Sequence, residues 1–205
     1  MSQLSDLQQK KQPVQARAKA TVAAMLDATA QVLISDGYEA VSTNRIAEVA
    51  GVSIGSLYEY FPNKQSLVAS VLSRALRDIV DEVTTGLRTA LALADQPRSG
   101  IDYWMRAMTA ALQKRGDLLR VALREVPFLW SIREIRQLSE TLQHIAQEGR
   151  RKSERVLHFD DPQASTYLLM SMTWAAILQT VLYPPTHLSR ERLTSTLVEM
   201  VLKLL

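Results

Sequence analysis

Apolar residues along this chain recur at intervals of three and four, and the residues that break helices fall mostly between the segments that show this spacing. That combination commits the chain to an all-α fold. Pro62, Pro97, Pro127, Pro162, Pro184 and Pro185, with Gly37, Gly51, Gly100, Gly116 and Gly149, divide it into about nine helical pieces. No strand-like alternation and no internal repeat interrupts the pattern. The first helix is expected from about Arg17 to Asp36, with Val22, Leu26, Ala30 and Leu33 on one face and Gly37 as its stop. Asn63 is placed to cap a much longer helix, in which Leu67, Val71, Leu72, Ala75, Leu76, Ile79, Val83 and Leu87 keep one stripe going to about Ala94. A helix that long can belong to two domains, so the expected boundary falls inside it. The division is a basic N-terminal arm (1–20), a small helical domain (21–78) and a larger helical domain (79–205).

Composition narrows the functions available. The chain has 205 residues, 47% of them hydrophobic and 22% charged, enough apolar surface for a real core. It has no cysteine, which removes disulfides, thiol nucleophiles and thiolate zinc sites and fits a reducing compartment. Met1 to Gln12 is polar and lacks the apolar centre of a signal peptide, so a cytoplasmic location is expected. The apolar stretch from Tyr167 to Tyr183 is broken by Ser171, Thr173, Gln179 and Thr180; it is expected to fall short of a membrane span and to form a buried helix. A net charge of +3 permits nucleic acid as a partner without demanding it.

The decisive stretch is Thr43 to Tyr60, whose spacing suits two short helices crossing steeply. Ile46, Ala50, Val52 and Leu57 would face inward, Ala47 is small enough to be crossed closely, Gly51 supplies a left-handed turn, and Ser53 can cap the second helix. This is a helix-turn-helix. In such a motif the second helix enters the major groove and its first residues meet base edges. Here these are Ile54, Gly55 and Ser56, which would read bases by apolar contact, a hydroxyl and close backbone approach. Thr43, Tyr58, Tyr60 and Lys64 suit phosphate contacts. Residues 1–64 carry six basic side chains (Lys10, Lys11, Arg17, Lys19, Arg45, Lys64) and six acidic ones (Asp6, Asp27, Asp36, Glu39, Glu48, Glu59), so the module is neutral. Four of those bases lie in the first twenty residues against one acid, and the arm is expected to be mobile and to supply electrostatic grip on DNA.

The surrounding residues run Met25-Leu26-Asp27-Ala28, Asp36-Gly37-Tyr38-Glu39-Ala40, Ile46 through Ser53, then Gly55-Ser56-Leu57-Tyr58-Glu59-Tyr60-Phe61-Pro62-Asn63-Lys64 and Leu67. Over about residues 20 to 70 this resembles the N-terminal domain of the TetR family of transcriptional regulators. The resemblance implies an all-helical homodimer with paired DNA-binding heads and a C-terminal domain that senses a small molecule. Carried over residue by residue, it puts DNA contacts at Thr43, Asn44, Ile54, Gly55, Ser56, Tyr58, Tyr60 and Lys64, with Ser53 at the head of the same helix. Thr29 departs from the family pattern, in which alanine is commoner there. Beyond about residue 75 no motif extends the likeness.

From Pro162 through Ser189 there is no Asp, Glu, Lys or Arg, and Asp161 before Pro162 makes a good helix start. A helix so free of charge is expected to be covered, in part by a second subunit. Leu168, Met172, Ala175 and Leu178, with Leu193, Leu197 and Val201 on the last helix, are the expected dimer interface, a four-helix bundle formed by two chains. Tyr103, Trp104, Met108, Phe128, Trp130, Met170 and Trp174 are the side chains from which a small, largely apolar effector pocket could be built; they would serve a core equally well. His144 reads as an ordinary helix histidine, and Arg150, Arg151, Lys152 and Arg155 as a solvated helix end.

Enzyme readings find no support. No phosphate-binding Gly-rich loop, no His-Glu-x-x-His and no Gly-x-Ser-x-Gly elbow occurs, and His144, His158 and His187 lack metal-ligand spacing. Neither a cofactor nor a metal is expected. The expected function is a repressor released from an inverted-repeat operator by its effector; the alternative is an architectural or protein-interaction DNA-binding protein without an effector.

Overall fold

The computed structural model describes residues 7–93, 97–135, 137, 138, 140, 141 and 161–204. Among them there is no strand. The helices are α1 (Ala16–Ala40), α2 (Thr43–Ala50), α3 (Ile54–Tyr60), α4 (Lys64–Ala92), α5 (Pro97–Gln113), α6 (Gly116–Glu125), a 3-10 turn (Leu129–Ser131), α7 (Pro162–Leu182) and α8 (Arg190–Leu204). They form two compact units, Met1–Leu76 with Asp117–Ile135, and Arg77–Gly116 with Arg136–Leu205. Helix α4 contributes its first half to one and its second half to the other. The segment 117–135, which the apolar spacing assigns to the second domain, packs in the first unit.

In the first unit the core is built on α1 and the first half of α4. The buried face of α1 is Val22, Met25, Ala28, Thr29, Val32 and Leu33, whereas Leu26 and Ala30, expected on that face, are only half-buried. Thr29 can occupy the middle of this face because its hydroxyl donates to the Met25 carbonyl at 2.7 Å, leaving no orphan polar group. Ile46, Leu57, Phe61, Leu67 and Val68 are fully buried with it. Asn63 caps α4 as its position suggests, its Oδ1 accepting from the Ser66 amide at 2.8 Å.

Helix α1 is interrupted at Gly37, whose φ of 80° and ψ of 172° belong to a region essentially closed to side chains. The chain kinks there, and Glu125, at the end of α6, occupies the space beside it. The Glu125 Oε2 accepts from the Tyr38 amide at 2.9 Å and would lie 2.6 Å from a Cβ placed on residue 37. The Phe128 ring then meets the Tyr38 ring edge-on, with centroids 5.9 Å apart.

The second unit joins α5, α7 and α8. Gly100, expected between helices, lies inside α5, where a Cβ would come within 2.8 Å of the Ala90 carbonyl oxygen on α4; close helix approach is the reason for it. Charged groups brace the same helices. Arg115 reaches Asp78 and Glu82, each at 3.1 Å, and Lys114 reaches Glu82 at 2.9 Å. Burial pushes the Glu82 carboxyl up, but the hydrogen bonds from Lys114 and Arg115 outweigh it and hold the group below its ordinary value. Arg106 ties α5 to α8 through Glu191 at 2.6 Å and Ser195 at 3.1 Å.

Asp161 caps α7, its Oδ1 accepting from the Gln163 and Ala164 amides at 3.0 and 2.9 Å. Contrary to the expectation of a buried helix that falls short of a membrane span, the 20 residues Gln163–Leu182 have a mean hydropathy of 1.2 and are long and apolar enough to span one by length and composition alone. The helix is two-faced. Thr173, Ile177, Val181 and Leu182 are buried, while Leu168, Met172 and Ala175 are exposed.

The two left-handed glycines should differ in tolerance. Gly51, at φ 65° and ψ 33° with open space where a Cβ would go, should lose about 1 kcal/mol on replacement by alanine. Gly37→Ala should lose about 3 kcal/mol, since conformation and Glu125 both oppose it. Urea unfolding of the two variants checks this, and a Gly37→Ala loss no greater than that of Gly51→Ala would contradict the role given to Glu125.

Candidate nucleic-acid interface

The motif folds as its residue types require. Ser42 starts α2 by accepting from the Arg45 amide at 3.2 Å, and Gly51 ends it in the left-handed conformation, donating to the Glu48 carbonyl at 3.1 Å. Val52 donates back to the Ala47 carbonyl at 3.0 Å, so the turn is closed from both sides. Ser53 caps α3 by accepting from the Ser56 amide at 3.0 Å, and the two serine hydroxyls lie 2.8 Å apart. Ile46, Ala47 and Leu57 are buried between the helices, with Ala50 and Val52 half-buried beside them.

Helix α3 therefore has one face in the core and one in solvent. Leu57 and Tyr60 are on the first; Ile54, Gly55, Tyr58 and Glu59 are on the second, with Ser56 half-buried at the edge. Thr43, at the start of α2, is hydrogen-bonded to the Tyr58 hydroxyl at 3.1 Å, which brings two expected phosphate contacts together. Asn44 and Ser53 are exposed on the same two helix starts. Tyr60 differs from the expectation: its ring is buried, because Tyr60 follows Leu57 by three positions on the inward face.

Lys64 is held by Tyr38. Its Nζ lies 4.5 Å from the Tyr38 ring centroid and donates to the Tyr38 carbonyl at 3.4 Å. Burial, with a smaller contribution from the Glu39 charge, raises the Tyr38 phenol above its usual value, so the ring presented to Lys64 is neutral. Residue spacing assigns Tyr38 no role at the site, although it sits within the motif that resembles the family. Nothing local signals Glu125, which fixes Tyr38 from 87 positions away.

The arm is not free as expected. The Lys10 amide donates to the Tyr60 carbonyl at 2.8 Å, the Lys10 ammonium to the Tyr58 carbonyl at 3.1 Å, and Lys11 pairs with Glu59 at 2.8 Å. Two of the four bases assigned to electrostatic grip are thus engaged with α3 itself.

The expected effector side chains are distributed over both units. Tyr103 is exposed, Trp104, Met170 and Trp174 are half-buried and Met108 is fully buried, all in the second unit. Phe128 and Trp130 belong to the first, where Phe128 packs on Tyr38 and Trp130 is 71% exposed. Of the expected dimer residues, Leu168, Met172 and Ala175 are exposed, Leu178, Leu193 and Leu197 half-buried, and Val201 buried within its own chain; Met200 and Leu204 are the exposed apolar side chains at that end of α8. His187 is exposed, and the described residues hold no cluster of His, Asp and Glu suited to a metal. His144, His158, Arg150, Arg151, Lys152 and Arg155 lie outside the described residues.

Residues 25–71 match the profile of bacterial regulatory proteins of the tetR family. The chain is 38% identical over 99 residues to the HTH-type transcriptional repressor KstR of Mycolicibacterium smegmatis, covering 48% of this chain and 46% of that protein. It thus spans less than half the length of that relative. The fold is similar along almost the whole chain to a TetR-family regulator of Mesorhizobium loti, with a TM-score of 0.68 at 20% identity over 92% of this chain and 98% of the other. The FadR of Bacillus subtilis, solved in complex with stearoyl-CoA, gives 0.67 at 19% identity over 89% and 98%. A helix-turn-helix with these caps and this turn, matched in sequence to the tetR family over residues 25–71 and carried on a fold similar to that of TetR-family regulators, gives the chain a TetR-like N-terminal head.

Proposed function

We propose that the protein is a homodimeric transcriptional regulator that binds an inverted-repeat operator through α2 and α3 and is released from it by a small, largely apolar effector. The observation that carries this is the division of α3, which buries Leu57 and Tyr60 and leaves Ile54, Gly55 and Tyr58 in solvent. Such a helix can be rigidly held and still offer its first turn to a groove. Ile54 and Gly55 read bases, with Ser56 at their edge. Thr43, Asn44, Ser53, Tyr58 and Lys64 meet the backbone, which fixes register. The protein works where the DNA is, in the cytoplasm. Similarity to a repressor supports repression as the mode.

Two observations support the dimer. Helix α7 is free of charge and leaves Leu168, Met172 and Ala175 exposed in a row at four and three positions, and α8 adds Met200 and Leu204. A continuous apolar face of this kind is what a symmetric bundle covers. The effector is placed in the second unit, against Tyr103, Trp104, Met108, Met170 and Trp174. The stearoyl-CoA carried by the FadR structure makes a long-chain acyl thioester the first compound to try. Release is linkage: an effector that prefers wrongly spaced heads lowers operator affinity by about 5- to 150-fold, and DNA lowers effector affinity equally.

Selection from a randomised duplex pool at near-physiological salt should recover one palindromic sequence, and recovery of none would remove the operator. On that sequence Lys64→Ala should weaken binding to all variants alike and reduce the salt slope by about 0.9. An unchanged slope would take Lys64 out of the contact set. Ser56→Ala should alter preference at one base position, and uniform losses across operator variants would assign its hydroxyl to the backbone or to Ser53. Leu168→Glu with Met172→Glu should halve the mass seen in sedimentation equilibrium while far-UV circular dichroism still reports a helical chain, because both side chains are exposed on the single chain. A dimer that survives both substitutions would place the interface elsewhere.

A further inference from the structure

The last turn of α3 has a capping problem that its own neighbourhood does not solve. A helix leaves its final carbonyls without intrahelical donors, and the chain just beyond usually supplies amides to them. Beyond Tyr60 the chain is Phe61, Pro62 and Asn63. Phe61 donates to the Leu57 carbonyl at 2.9 Å, Pro62 has no N–H, and the Asn63 amide is directed to the Ser66 hydroxyl as part of the α4 cap. The carbonyls of Tyr58 and Tyr60 are met from the other end of the sequence. Lys10 takes both, through its ammonium at 3.1 Å and its amide at 2.8 Å.

Lys11 completes the arrangement. Its Nζ is 2.8 Å from Glu59 Oε1 and 5.9 Å from the Tyr60 ring centroid. Two cations thus lie at the negative end of the α3 dipole, where they are favourable. The hydrogen bond to Glu59, with its charge, raises the Lys11 ammonium above its ordinary value. Between this contact and the start of α1 at Ala16 runs a short segment without regular structure that contains Pro13, whose fixed φ lowers the cost of ordering it.

We propose that Lys10 and Lys11, from a distant part of the same chain, form the C-terminal cap that fixes the orientation of the recognition helix, and that they are positioning residues for DNA reading and not phosphate contacts. This rests on the reading of α3 as the base-reading helix. The arm is thereby part of the machinery of specificity. It lies outside residues 25–71, so the family profile does not cover it.

The test uses the full chain carrying Lys10→Pro and Lys11→Ala, which removes the amide donor and both ammonium groups. Lys19→Ala serves as a control for loss of arm charge, and Lys11→Arg as the conservative variant. Amide hydrogen exchange in the free protein should rise about tenfold in α3 while α1 and α4 keep their protection, which shows that the fold is intact. Affinity for the selected operator should fall about tenfold relative to random duplex, with the salt slope unchanged; Lys11→Arg should behave as the parent. Unchanged exchange in α3 would overturn the cap. A salt slope lowered by about two units would make the lysines phosphate contacts instead. Faster α3 exchange with full operator affinity would reduce the cap to a structural feature without a part in reading. Failure of the parent protein to select any sequence would defeat the operator, while the exchange result still decides the cap.

Discussion

A helix of seven residues cannot hold itself in water, and the position of α3 is what everything else in the first unit secures. Its stability comes from outside. Leu57 sinks fully into the core with Phe61 just beyond the helix, and burial of a side chain of that size is worth about 1.5–3 kcal/mol. Ser53 accepts from an amide of the first turn and Lys10 donates to two carbonyls of the last, so each end of the helix has a side chain or amide from outside it as a cap. A face fixed in this way can present Ile54 and Gly55 without paying much entropy on binding.

The same economy of contact explains the segment 117–135. Glu125 holds the turn at Gly37 and Tyr38, and Tyr38 in turn holds Lys64 at the start of α4. The phosphate contact proposed at Lys64 would thereby be positioned by a residue from α6, in a unit otherwise built from residues before 77 and from the segment that follows α6. Displacement of α6 would reach Lys64 through two contacts, a carboxylate on an amide and an ammonium over a ring.

Much of the head was legible in the sequence because its constraints are local. Gly51 has to be left-handed, Ser53 and Asn63 have to cap, and Ile46 and Leu57 have to face one another, each within a few positions. What escaped depends on residues far apart. Lys10 and Lys11 looked like free charge because nothing in their neighbours announces carbonyls about fifty positions on, and Glu125 gave no sign of its partner, the Tyr38 amide. Gly100 read as a separator although it serves a helix crossing. In α7 the lack of charge was plain, but which of its side chains face the chain itself depended on packing; Val201 on α8 turned inward for the same reason, leaving Met200 and Leu204 outside.

The claim at the centre is that the solvent face of α2 and α3 is the surface that meets DNA. Hydroxyl-radical footprinting of the protein side chains, with and without a saturating selected duplex, tests it directly. Tyr58, 44% exposed at the middle of α3, should become protected, while Trp130, 71% exposed and assigned no contact, should react as before. Protection of Trp130 with Tyr58 unchanged would contradict the assignment of α3 as the reading helix.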